Sequence, residues 1–184
     1  MKELSLNILD IAENSVKAGA LLTEITIDES ESVLTLTIRD DGSGMSEETL
    51  QSVTNPFYTT RTTRKVGLGI PLLKLSAEQT GGSLTINSKM ADEKDSTHGT
   101  TVTATFNKGH IDFTPLGDVI SSIVTLVQGH PERDFLFTHK NGNTKIVLDT
   151  RELREILGDV PLDTYEVLNW IRDFLKEQYG ETQF

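Results

Sequence analysis

The chain has 184 residues, 36% hydrophobic and 24% charged, enough for one ordinary domain or one plus a small appendage around a real core. Its formal charge of −11, from 17 Lys and Arg against 28 Asp and Glu, argues against unspecific duplex binding, and no run of about 18 apolar residues marks a membrane span. The absence of cysteine excludes disulfides, thiolate metal sites and a cysteine nucleophile; with no secretory signal in MKELSLNILDIAENS, a cytoplasmic location is expected.

The first segment has the period of a helix. Leu4, Ile8, Leu9, Ile11, Ala12, Ser15 and Val16 give apolar or small positions, and Glu3, Asn7, Asp10, Asn14 and Lys17 form one polar stripe ending at Gly19. Two alternating strands follow, Glu24–Asp28 and Leu34–Ile38, joined through an acidic hairpin loop. The second runs into Asp40-Asp41-Gly42-Ser43-Gly44 and a short helix capped by Ser46. A loop is expected from Asn55 to about Val66, then a helix from near Ile70, with Pro71 in its first turn, to Gly81-Gly82. Leu84–Met90 and Thr101–Phe106 alternate as strands.

Composition shifts at Asn107–His110, so the chain divides into a domain over 1–110 and an α/β extension over 111–184, expected to dock on the first. The extension reads as helix–hairpin–helix–helix. It has a helix over 116–128, strands Asp134–His139 and Thr144–Leu148 turning at Asn141-Gly142, and capping boxes at Asp149–Glu152 and Asp163–Glu166. Phe135, Phe137 and Trp170 are expected in the core, a partner-facing position being the alternative.

Four places carry chemistry. Asp40-x-Gly-x-Gly at a strand end is either a plain turn or an aspartate placed to accept from an amino group, with glycines that let a flat ring approach. Gly67-Leu68-Gly69 lacks the preceding strand and third glycine of a dinucleotide fingerprint and is no P-loop. It nevertheless opens a helix, whose free N–H groups suit an anion, with Arg61, Arg64 and Lys65 just upstream; the alternative is a solvated loop. Asp10 and Asn14 share a helix face with Lys17 one turn on, a donor set for a hard ion such as magnesium. Gly99-Thr100-Thr101 enters a strand.

In this order the motifs resemble the Bergerat-fold (GHKL) ATPases and kinases. The stretch Asn7–Ala20 is close to the MutL type. Asn55-Pro56-Phe57-Tyr58-Thr59-Thr60-Arg61 and Gly67-Leu68-Gly69-Ile70 are closer to histidine kinases and anti-sigma-factor kinases. The resemblance covers residues 1–107 and implies an α+β fold, a two-layer sandwich whose mixed sheet is covered by helices on one face. It implies ATP and Mg²⁺ as cofactors, with Asn14 chelating magnesium. Asp40 would read the adenine amino group, with Gly42 and Gly44 under the base and Thr100 bonding through water. Residues 55–66 would form an ATP lid, with Gly67, Leu68 and Gly69 as its hinge and Lys17 and Arg61 as phosphate contacts. Asp10 stands where hydrolysing members carry a glutamate general base, one methylene shorter. The whole chain also resembles stand-alone, histidine-kinase-like ATP-binding proteins of anaerobic bacteria, some linked by that likeness to hydrogenase systems.

With the motifs starting at residue 1, autophosphorylation on a histidine of a dimerising helix is not expected within this chain. His98, His110, His130 and His139 lie in loops or strands and are expected to be ordinary surface or loop residues. The expectation is a Mg-ATP-dependent regulator that acts as a kinase on a separate, unidentified protein or as a slow ATPase switch. The alternative is a non-catalytic, ATP-dependent protein-binding module. Neither nucleic acid nor membrane is an expected partner.

Overall fold

The alternating segments assemble into one six-stranded sheet in a computed structural model that describes residues 3–53, 68–92 and 97–181. The element order is α1 (Leu4–Lys17), β1 (Leu22–Glu29), β2 (Val33–Asp40), α2 (Glu47–Ser52), α3 (Gly69–Gln79), β3 (Ser83–Lys89), β4 (Gly99–Asn107), α4 (Val119–Gly129), β5 (Asp134–Asn141), β6 (Thr144–Asp149), α5 (Thr150–Leu157) and α6 (Tyr165–Glu181). The strands lie in the order β3-β4-β2-β1-β5-β6. Only β1 and β5 run parallel; the other neighbours are antiparallel, so the sheet is mixed, as expected.

Period-two patterning fixes which face is covered. Ile25, Ile38, Val102 and Ile86 stand in register on one face, with Phe137 beside Ile25 in the parallel pair. Onto this face pack the helices: α1 touches β1 and β2 and lies between α3 and α4, while α6 rests on α4 and β6. The opposite face carries a threonine row, half-buried at Thr26, Thr37 and Thr103 and exposed at Thr85, as a β-propensity-rich surface can. Residues beyond 110 supply β5 and β6 to the same sheet, and Phe135 and Phe137 belong to one buried cluster with Ile8, Ile25 and Leu73.

Local signals account for most element ends. Gly19 takes a φ of +79° just past the C-cap Ala18, Ser46 accepts from the Thr49 amide, and Asp149 accepts from that of Arg151. The β5–β6 turn is one residue later than Asn141-Gly142 implies. Asn141 pairs with Thr144, and Gly142 sits first in the loop with φ +57°, as a type II′ turn requires. The helix expected over 116–128 starts at Val119, because Asp118 caps it through the Ser121 amide.

Three side chains depart from expectation. Trp170 is 51% exposed, stacked on Phe174 rather than packed in the core. Asn7 on the α1 stripe is wholly buried, with neither amide atom hydrogen-bonded. His139 is no surface residue: its β5 position faces inward opposite Ile27, and it is 1% exposed. Its Nε2 donates to Glu29 Oε1 (3.0 Å), so a neutral ring accepts at Nδ1 from the Tyr179 hydroxyl (2.8 Å). Lys108 Nζ lies 2.6 Å from the other Glu29 oxygen. The hydrogen bond from His139 chiefly, helped by Lys108 and opposed by burial, lowers the Glu29 pKa to about 2. This network ties β1, β5 and α6 at the end of β1 remote from Asp40's partner Thr23.

Candidate functional site

Asp40 ends β2 on the helix-covered face and is 8% exposed. A carboxylate placed there needs donors, and three come from separate parts of the chain. The Ser15 hydroxyl on α1 donates to Oδ2 at 2.8 Å. The amides of Gly42 and Thr100 donate to Oδ1 at 2.9 and 3.1 Å. Thr100 can do so because it stands opposite Asp40 in the β2–β4 register. Oδ1 thus takes two donors and Oδ2 one, leaving Oδ2 with acceptor capacity for one more.

The loop after Asp40 is held at almost every peptide. The Ser43 amide donates to the Ala18 carbonyl at the end of α1 (2.9 Å), and the Ala91 amide to the Ser43 carbonyl (3.0 Å). The Met45 amide donates to Ser88 Oγ (2.8 Å), which also lies 2.8 Å from the Thr100 hydroxyl. The Gly42 carbonyl accepts from His98 Nδ1 at 2.6 Å, so this ring carries its proton on Nδ1. His98 is therefore a pin on the loop, a role its position in a polar segment did not announce. At Gly44, φ is +68° and a Cβ would stand 1.9 Å from the Lys89 carbonyl oxygen, so only glycine fits. At Gly42 a Cβ would meet that of Ala18 at 2.9 Å.

One turn back along α1 lies a second cluster. Asp10 and Asn14, half-buried, are separated by about 6 Å of helix rise and share the stripe expected from the sequence. The Asp10 carboxylate presses on the first residue of α3: a Cβ on Gly69 would sit 2.1 Å from Oδ2. Helix α3 opens without a side-chain cap, since its N-cap Leu68 has no side-chain oxygen, and Pro71 offers no N–H. Because Gly69 lies against Asp10, the positive end of the α3 dipole meets the polar stripe of α1. Lys17 is exposed and 3.7 Å from Glu13, which also accepts from His130 at 2.8 Å.

The structure thus brings Asp40, Gly42 and Thr100 together around one carboxylate, places Gly44 on the same loop, and sets Asp10 against Gly69, with Leu68 as the N-cap of the same helix. Asn14 precedes Ser15, the donor to Asp40, and so lies between the two clusters. Arg61, Arg64, Lys65, Gly67 and the expected lid lie outside the described residues. Sequence reasoning did not identify Ser15, Ser88 or His98 as partners of the loop. Among the described residues, no three His, Asp or Glu side chains gather as a metal cluster, so a hard ion here would rely on Asn14 with ligand and water oxygens.

Residues 1–110 match the family model described as histidine kinase-, DNA gyrase B-, and HSP90-like ATPase, which is more than half of the chain. The chain belongs to this ATPase family. The sensor protein SrrB of Staphylococcus aureus is 36% identical over 95 residues, which span 49% of this chain and 16% of that protein. The chain therefore spans about a sixth of the curated relatives it matches. The N-terminal domain of a DNA repair protein superposes with a TM-score of 0.56 at 15% identity, covering 81% of this chain and 53% of that one, a likeness of fold. A mycobacterial sensor histidine kinase, MprB, is 22% identical over 55% of this chain and 67% of its own, with a TM-score of 0.42.

Membership in the ATPase family implies ATP binding, and the residues fit it. A buried acceptor beside a glycine loop with no Cβ suits a flat amino-bearing ring, and an uncapped helix start suits phosphate. No helix among the described residues is long and apolar enough to cross a membrane.

Proposed function

We propose that this ATPase-family chain is a Mg-ATP-dependent regulator that acts in the cytoplasm, either as a kinase on a separate protein or as a slow ATPase switch. The observation that carries the nucleotide part is the bonding of Asp40. Three protein donors hold its carboxylate and leave capacity for one more on Oδ2, which a 6-amino group fills and a 6-oxo group does not. Adenine is the purine with that amino group. Asn14 would hold magnesium, with the remaining positions taken by phosphate and water oxygens, and the ion would neutralise charge on the triphosphate.

Asp10 supports the catalytic part. It is a carboxylate on the α1 stripe, pressed against the start of α3 where anionic oxygens are favoured. There it takes up a proton from an attacking water or hydroxyl, while the α3 N-terminus and Asn14 orient the phosphate groups. Asp10→Asn keeps the shape and removes the base. With labelled ATP, nucleotide binding should persist while turnover falls about 100-fold. Unchanged turnover removes Asp10 as the base. Label passing to a co-purified protein selects the kinase, and release of free phosphate selects the switch.

A further inference from the structure

Helix α6 divides its exposed residues by charge. Glu166, Trp170, Asp173 and Glu177 follow at helical spacing on one stripe, and all four are exposed. Arg172 and Lys176 lie on the other flank, toward α4. There the Asp118 carboxyl is held below its usual range by the Ser121 hydroxyl and amide first, and then by the charges of Lys176 and Arg172. Val167, Leu168, Ile171 and Leu175 between the flanks are buried in the core.

The acidic stripe is uncompensated. Some acids elsewhere in the chain are paired with cations, as Asp149 is with Arg151 and Glu78 with Lys74. Among the described residues, Glu166, Asp173 and Glu177 have neither an ion pair nor a hydrogen bond from their side chains. In their midst is the chain's single tryptophan. Its ring stacks on Phe174, with centroids 5.1 Å apart and planes 7° from parallel, yet half of the side chain stays exposed. The stack holds the indole rigid, so little side-chain entropy is lost when something covers it.

We propose that this stripe of α6 docks a basic amphipathic segment of a partner protein. Arginine or lysine side chains would lie over the Trp170 ring and against the three carboxylates, and apolar residues would cover the Trp170–Phe174 plate. Charge complementarity selects that occupant: three unpaired carboxylates repel the phosphates of nucleic acid and anionic lipid and attract cations. The surface stands independently of the nucleotide reading.

The single tryptophan makes the test direct. The intact chain, without nucleotide, is titrated with an amphipathic peptide of leucine and arginine and with its leucine–glutamate counterpart, following Trp170 fluorescence. The arginine peptide should give a saturable change that weakens with salt, and the glutamate peptide none. Glu166→Gln/Asp173→Asn/Glu177→Gln should weaken binding about ten-fold or more. Asp28→Asn/Glu31→Gln/Asp112→Asn, which alters net charge equally on exposed positions elsewhere, should leave it within about two-fold. No saturable fluorescence change, equal response to both peptides, or equal weakening by both triple variants overturns the proposal.

Discussion

The hydroxyl of Ser15 donates to Oδ2 of Asp40 across 2.8 Å, joining the middle of α1 to the end of β2. This bond makes the helix that carries Asp10 and Asn14 part of the same unit as the candidate base-reading carboxylate. Ser15→Ala should weaken ATP binding about five- to ten-fold, the worth of one ordinary hydrogen bond, as measured by calorimetry. Unchanged affinity would mean that the two amides suffice to orient Asp40.

His98 holds the Gly42 carbonyl from a position 56 residues later in the chain. His98→Ala should free that carbonyl and raise the ATP dissociation constant by about ten-fold, with a melting temperature close to that of the parent. His98→Gln, which can still donate, should recover part of the loss. Equal loss in both variants would assign the effect to packing rather than to the bond.

Asn7 is wholly buried with both amide atoms unpaired, which costs stability. Asn7→Leu, similar in size and free of polar atoms, should stabilise the chain by roughly 1–2 kcal/mol in denaturant titration. A destabilised variant would show that the amide has a partner, such as a buried water, and is retained for it.

The Glu29 carboxyl titrates near 4.5 when unfolded and near 2 in the fold, held first by the His139 hydrogen bond and then by Lys108. Because the folded value is the lower one, its contribution is complete above pH 4.5 and is lost as pH falls toward 2. The amount is on the order of 2 kcal/mol after allowing for partial solvent exposure. Denaturant unfolding between these pH values should show steeper acid destabilisation in the parent than in Glu29→Gln. Parallel pH profiles would contradict the network.

What the sequence revealed and what it hid follow from the range of the interactions. Asp40, Gly42 and Gly44 are neighbours in the chain, and their conformational needs appear as a motif; the φ at Gly44 and the close approach at Gly42 bear this out. Strands were legible from alternation at Ile25, Ile27, Leu36 and Ile38. The insertion of β5 beside β1 was not, because alternation says which face a residue takes and nothing about which strand lies next to it. Ser15, Ser88 and His98 act on the loop across 25 to 56 residues, and a serine or histidine in a helix, strand or polar loop carries no local mark of such a partner. His139 was expected at the surface because the histidines lack metal-ligand spacing, yet the pleat turns it inward two residues on from the buried Phe137. Trp170 fits the amphipathic period of α6 but stands at the edge of its buried face, where period alone does not separate packing from exposure.

The most direct test compares the binding of ATP and ITP by calorimetry, with Mg²⁺ and the unaltered chain. The two ligands differ at the purine C6, an amino group against an oxo group, with a hydrogen on N1 only in ITP, and it is the 6-amino group that Asp40 has acceptor capacity left to take. ATP should bind at least about 30-fold more tightly, and Asp40→Asn should remove that preference. Equal affinity for the two, or no binding of any adenine nucleotide, would contradict the account.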